Sequence, residues 1–137
     1  MPLSDYRYLL DTNIVSDLVH EPQGAVAKRI ARVGESRVCT SIVVACELRY
    51  GAAKKGSPRL TAQLEAVLHA LPVLPLEPGA DRHYGEIRAA LERAGRPVGA
   101  NDLLIAAHAR SLGLILVTRN TAEFSRIPGL KLADWPG

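Results

Sequence analysis

The chain has 137 residues, of which 47% are hydrophobic and 23% charged, and its formal net charge at pH 7 is +3. This size and composition predict a single domain, residues 1–137, and exclude a disordered chain. The positive charge tolerates a polyanionic partner without requiring one. No apolar run approaches the length of a membrane span and no charged leader precedes one, so we expect a cytoplasmic protein without a membrane partner.

Short apolar runs alternate with longer amphipathic runs along the chain. The run at 8–10 predicts a buried strand, and Thr12 or Asn13 is placed to cap a following helix that ends near His20. The same patterns predict helices from about 24, from a Ser41 cap to 53, at 57–71, at 80–91 and at 101–112, with Gly113 closing the last of these. The remaining predicted elements are strands at 38–40, 73–76, 114–117 and 130–133, and a turn or short helix at 121–125.

This alternation of strands and helices predicts an α/β fold, a three-layer α/β/α sandwich around a parallel sheet of four to five strands. Ligands of such sheets bind beyond the carboxyl ends of the strands. Asp11 follows the first predicted strand, and Thr118, Arg119 and Asn120 follow the fourth. We therefore expect a functional site at this edge of the sheet.

Three acidic residues stand beside unusually apolar sequence: Asp11 in YLLD, Glu47 in IVVACELRYG and Asp102 in NDLLIAAHA. Each alone has an ordinary explanation, respectively a helix cap, an outward-facing helix charge and a first-turn charge that complements the helix dipole. Brought together, two carboxylates about 4 Å apart would repel by on the order of 4 kcal/mol at an effective dielectric of 20. A divalent cation between them would relieve that repulsion, which favours a metal-dependent hydrolase.

Four further residues follow the fourth predicted strand and are candidates for the same site. Asn120 offers an amide oxygen and Glu123 a carboxylate one helical turn later, which suits a site with oxygen ligands. Thr118 and Arg119 are candidate phosphate contacts, although capping and surface roles fit them equally well. A basic cluster at Lys54, Lys55 and Arg59 is either a solvated face or an RNA contact.

Other chemistries lack their required residues. Asn13 stands where a haloacid-dehalogenase-type phosphatase needs its second Asp, and a response-regulator receiver needs an Asp after the third strand that is absent here. There is no GxGxxG, GxxxxGK[ST] or HExxH motif. Cys39 and Cys46 are outside metal-binding spacing, so we expect two buried, reduced thiols.

Four segments in order resemble the PIN-domain ribonucleases, above all the VapC and FitB toxins of bacterial toxin–antitoxin pairs. They are LLDTNIVSDL, TSIVVACELRYGA, GRPVGANDLLIAAHA and LVTRNTAEF with the ending PGLKLADW. The resemblance extends from Tyr8 to Trp135, nearly the whole chain.

The resemblance implies a PIN fold that binds Mg²⁺ or Mn²⁺ and hydrolyses RNA phosphodiester bonds through a metal-activated water. By motif, Asp11, Glu47 and Asp102 are the implied catalytic and metal-binding acids. Asn120 falls at a fourth catalytic position where many members have Asp, and Glu123 is placed to compensate through a metal-bound water. Because Asn120 departs from this pattern, the site could bind either one metal ion or two.

The resemblance also implies partners: a tRNA or rRNA substrate, a cognate antitoxin and a second copy of the chain in a homodimer. Two other functions remain open from the residues alone. One is a non-catalytic, antitoxin-binding subunit of a repressor complex, and the other is a structure-specific DNA nuclease.

Overall fold

A five-stranded parallel β-sheet forms the centre of the structure, a computed structural model that describes residues 5–135. Its strands are β1 (Tyr8–Leu10), β2 (Val38–Ser41), β3 (Val73–Leu74), β4 (Ile115–Val117) and β5 (Lys131–Ala133). They lie side by side in the order β3-β2-β1-β4-β5. The chain order therefore reverses between β1 and β4, and parallel sheets bind ligands beside such a reversal. The predicted α/β fold with four to five strands is confirmed.

Seven helices flank the sheet within residues 5–135. They are α1 (Thr12–His20), α2 (Ala25–Val33), α3 (Ile42–Lys55), α4 (Pro58–Ala70), α5 (Ala80–Arg93), α6 (Ala100–Ser111) and α7 (Thr121–Phe124), with a 3₁₀ helix at Glu35–Arg37. Helix α1 contacts α2, α3 and α4, whereas α5 packs along α6. No helix in this part of the chain is long and apolar enough to cross a bilayer.

The core is made of aliphatic side chains from the central strands and from α6. Leu9, Leu10, Leu116 and Val117 are completely buried, because a parallel sheet covered by helices is apolar on both faces. In α6, six residues are buried: Leu103, Ile105, Ala106, Ala107, His108 and Ala109. The predicted central, buried helix at 101–112 is therefore confirmed, and it fixes the position of Asp102 at its first turn.

Side chains at two strand ends cap the helices that follow. Asp11 has extended backbone angles, and its Oδ1 accepts the Thr12 backbone N–H at 2.8 Å, so Asp11 itself caps α1. The prediction that Thr12 or Asn13 would be the cap is wrong by one or two residues, because the carboxylate at the strand end already reaches the first free amide. Ser41 caps α3 as predicted, accepting from the Val43 N–H at 3.0 Å.

Two other predictions need correction. The strand expected at 73–76 ends at Leu74, because Pro75 has no N–H to continue the ladder. Both cysteines are free, as predicted, but only Cys39 is buried and Cys46 is exposed. Cys46 lies on α3, whose solvent-facing side also carries Ile42 and Tyr50.

Candidate active site

Asp11 lies at the end of β1 and is only 3% exposed. Its Oδ2 accepts the Thr118 hydroxyl at 2.7 Å, while its Oδ1 is bound by the amide of Thr12. Burial raises the pKa of the Asp11 carboxyl, the two hydrogen bonds oppose that rise, and the charges of Glu47 and Glu123 add to it. Asp11 is therefore a fixed carboxylate within the field of other acids.

Glu47 lies on α3, half-buried, and is held by two polar side chains. The Thr12 hydroxyl donates to Oε1, and the Asn101 amide donates to Oε2 at 3.3 Å. Neither Thr12 nor Asn101 was predicted to act on Glu47. The only feature of the sequence that could have pointed to them is their position next to predicted site residues, since Thr12 follows Asp11 and Asn101 precedes Asp102. The two donors point the Glu47 carboxylate towards the other acids.

Asp102 lies in the first turn of α6 and completes the group of predicted acids. Burial raises its pKa to about 6, and the negative charge of Asp11, the charge and hydrogen bond of Glu123, and the charge of Glu47 act in the same direction. Four carboxylates, one after the end of β1 and one each from α3, α6 and α7, therefore interact electrostatically at the carboxyl edge of the sheet. We call Asp11, Glu47, Asp102 and Glu123 the acidic cluster.

Thr118 is completely buried at the end of β4. Its hydroxyl donates to Asp11 and accepts the backbone N–H of Asn120 at 3.0 Å. A buried hydroxyl with both of these bonds orients Asp11. It leaves no exposed surface for the phosphate contact predicted from the sequence, so that prediction is corrected.

The other residues after β4 are more open to solvent. Arg119 forms an ion pair with Asp17 of α1, and its side chain is 43% exposed. Asn120 is exposed at the start of α7, and its side chain makes no capping hydrogen bond. Its amide therefore remains available for the role near the acids that the sequence predicts, whereas Arg119 would have to leave Asp17 to contact a phosphate.

The acidic cluster suits a small, hard cation by the chemistry of its donors, which are all oxygen atoms. Within residues 5–135, no three His, Cys, Asp or Glu side chains already surround one metal-sized point. Mg²⁺ keeps several water ligands and commonly takes only one or two protein carboxylates directly, so it does not require a closed cage. Burial and, after it, the charges of the other acids raise the pKa values of Asp11 and Asp102, and a bound cation would stabilise both carboxylates in their charged form.

The contribution of Asp102 to the stability of the metal-free protein should fall as pH rises from about 4 to about 6. Asp102 has its pKa raised from 3.8 to about 6 on folding, so the folded state binds its proton more tightly and its contribution is lost as that proton leaves. Because Asp102 is partly solvated, we expect a loss of about 1–2 kcal/mol rather than the full value of the shift. Urea unfolding of wild type and Asp102→Asn across this range checks this, and parallel pH profiles for the two proteins would contradict it.

Residues 8–130 match the family described as PIN domain. Over 130 residues the chain is 43% identical to a Shigella flexneri protein named tRNA(fMet)-specific endonuclease VapC, a match that covers 94% of this chain and 98% of the relative. It is 39% identical, with the same coverage, to Ribonuclease VapC2 of Haemophilus influenzae strain Rd.

Solved structures agree with the sequence matches. VapBC2 from Rickettsia felis, bound to a DNA fragment from its promoter, superposes with a TM-score of 0.87 at 33% identity and covers 94% of this chain and 98% of that one. DNA-bound VapBC from Salmonella typhimurium superposes with a TM-score of 0.86 at 39% identity and covers 96% of this chain and 99% of that one. The resemblance found in the sequence is confirmed, and the chain belongs to the VapC family of PIN-domain proteins.

Proposed function

We propose that this chain is the endoribonuclease toxin of a type II toxin–antitoxin pair and hydrolyses RNA phosphodiester bonds with Mg²⁺ or Mn²⁺. The acidic cluster is the observation that carries this proposal. Burial, and after it the charges of the neighbouring carboxylates, raises the pKa values of Asp11 and Asp102, so keeping both side chains charged weakens the fold. A non-catalytic binding subunit would have no need of such an arrangement, whereas cation-assisted hydrolysis does.

We assign each residue of the site a role that its contacts support. Asp11 and Asp102 would hold the cation, with Thr118 and the Thr12 amide keeping Asp11 in one orientation. Glu47, held by Thr12 and Asn101, would bind the cation or orient a water beside it. When bound, the cation supplies positive charge for the phosphoryl oxygens and makes a water more acidic. Asn120 and Glu123 would orient water at the open side of the cluster.

The relatives suggest the substrate and the partner. A protein 43% identical to this chain is named for tRNA(fMet), so we propose initiator tRNA as the RNA to test first. The solved VapBC structures are toxin–antitoxin complexes, and we propose a cognate antitoxin for this chain, a homodimeric toxin and a cytoplasmic location.

The proposed activity is tested with two purified tRNAs of similar size. We expect the protein with Mg²⁺ to cut initiator tRNA at one position and to leave an elongator methionine tRNA largely intact. Gel analysis of end-labelled RNAs reads this out. Equal cutting of both would reject the initiator specificity and keep the ribonuclease, whereas no cutting of any RNA would reject the ribonuclease.

Asn120 and Glu123 should affect metal binding to different degrees. An amide can ligate a cation but adds no charge, so Asn120→Asp should tighten Mn²⁺ binding. Glu123 would act through a metal-bound water rather than on the metal, so Glu123→Gln should reduce cleavage less than Asp11→Asn does. Titration calorimetry with Mn²⁺ on wild type and Asn120→Asp measures the first effect. Equal affinity and stoichiometry in the two proteins would mean that position 120 does not face the metal.

A further inference from the structure

One face of α3 carries a second set of residues beside the acidic cluster. Glu47, Tyr50, Gly51, Lys54 and Lys55 are spaced i, i+3, i+4, i+7 and i+8, so they lie along one side of the helix. We call these five residues the α3 ribbon. It begins at an acid of the proposed active site and ends, roughly 10 Å further along the helix axis, at two lysines.

Gly51 is the unexplained residue of the α3 ribbon. It is inside a helix, where glycine is less stable than alanine. Its φ is not positive, and a Cβ added to it would meet nothing within 4 Å. Neither backbone conformation nor packing within residues 5–135 therefore requires glycine here, whereas a ligand lying close to the helix backbone would.

Glycine alone does not mark a site, because Gly85 in α5 is equally open. What distinguishes Gly51 is its position in a groove of about 200 Å³ between α1, α3 and α4. Glu47, Gly51 and Lys55 line this groove from α3, and the side chains that line it from α1 and α4 are mostly apolar. The open strip above Gly51 thus connects the proposed catalytic acid to a positive charge.

Tyr50 and Lys54 belong to the α3 ribbon but do not line the groove itself. Tyr50 is 67% exposed, the most exposed of the large apolar side chains within residues 5–135, and Lys54 Nζ lies 6.0 Å from the centre of its ring. Lys54 and Lys55 form no ion pair with any described residue. Lysines in a last helical turn also complement the helix dipole, so these two alone would not indicate an RNA site. The exposed aromatic ring and the glycine on the same face of the helix favour that function.

We infer that the α3 ribbon binds a single-stranded segment of the RNA substrate next to the bond that is cut. The backbone of that segment lies over Gly51, its phosphates face Lys54 and Lys55, and one unpaired base stacks on Tyr50. The inference rests on the proposed ribonuclease function. A base within a duplex has no free face to stack on the tyrosine, so the nucleotide that the α3 ribbon contacts is unpaired.

The lysines are tested by RNA binding without cleavage. Fluorescence anisotropy with a labelled RNA hairpin in excess EDTA compares Lys54→Gln/Lys55→Gln with Lys28→Gln/Lys131→Gln, a control that removes the same charge from exposed sites off the ribbon. We expect the ribbon variant to bind the RNA about tenfold more weakly. The steepness with which the logarithm of the binding constant falls with the logarithm of salt concentration should decrease by about 1.4, because two phosphate contacts are lost. The control should change affinity by less than about threefold.

Gly51→Ala and Gly85→Ala form a second matched pair. Both should raise the melting temperature, because alanine favours a helix, but only Gly51→Ala should weaken RNA binding. Tyr50→Ala should also weaken it, and Tyr50→Phe should restore it. Weaker binding by a more stable protein cannot come from misfolding.

The outcomes separate this inference from the proposed function. If wild type neither binds nor cleaves RNA, the ribonuclease proposal fails and the inference fails with it. If wild type cleaves RNA and the ribbon variants bind as the controls do, only the inference is overturned. Normal RNA binding together with lost neutralisation by the co-expressed antitoxin would assign the α3 ribbon to that protein partner instead.

Discussion

Replacing Asp102 by asparagine is expected to abolish cleavage while making the metal-free protein more stable. Burial and the charges of Asp11, Glu123 and Glu47 raise the pKa of Asp102 to about 6, so its charged form is disfavoured in the folded protein. Removing its charge relieves both the cost of burying it and the repulsion, which we expect to add about 1 kcal/mol of stability at neutral pH. It also removes a proposed cation ligand, so cleavage should fall by about 10³-fold or more.

Asp134→Asn is the matched control for this variant. Asp134 is exposed and follows β5, outside the acidic cluster, so its removal should change neither cleavage nor stability appreciably. Chemical unfolding in metal-free buffer and single-turnover cleavage report the two effects of Asp102→Asn separately. A strongly destabilised Asp102→Asn protein would indicate that the carboxylate mainly supports the first turn of α6.

Asp11→Asn should cause a comparable loss of cleavage with little change in stability. The asparagine oxygen can still accept the Thr12 amide or the Thr118 hydroxyl, and asparagine is as good a helix cap as aspartate. What disappears is the negative charge at the centre of the site, so we expect cleavage to fall by about 10³-fold or more.

Asp11→Ala separates the two roles of this residue. It removes the cap of α1 as well as the charge, so it should cost about 1 kcal/mol of stability in addition to the loss of activity. Thermal unfolding of the three proteins and cleavage by each give the comparison. Substantial cleavage by Asp11→Asn would show that the charge of Asp11 is not needed for the reaction.

Much of the fold could be predicted because its signals are local. The apolar run at β1 ends at a charged residue, and Ser41 stands where a strand gives way to a helix, so both strand ends were placed nearly to the residue. Asp11 and Asp102 were candidate site residues for the same reason. Each adjoins a boundary between elements, and in parallel sheets these boundaries meet at one edge.

The contacts around Glu47 could not be predicted, because they depend on how helices pack. Thr12 and Asn101 are 35 and 54 residues from Glu47 in the chain, and they reach it only once α1, α3 and α6 are assembled. The ion pair of Arg119 with Asp17 likewise joins the end of β4 to α1. The burial of Thr118 also depends on tertiary packing, since a threonine after a strand can face either solvent or a neighbouring strand end.

Metal-dependent cleavage by the acidic cluster is tested most directly with one labelled initiator tRNA and two proteins purified in parallel, wild type and Asp11→Asn. Wild type is assayed in excess chelator and again after Mg²⁺ is restored in excess, and the variant is assayed across the same Mg²⁺ concentrations. We expect no cleavage by wild type in chelator, full return of cleavage with Mg²⁺, and none by Asp11→Asn at any concentration. Cleavage that persists in chelator, or a wild-type rate from Asp11→Asn, would contradict a metal-dependent reaction at these carboxylates.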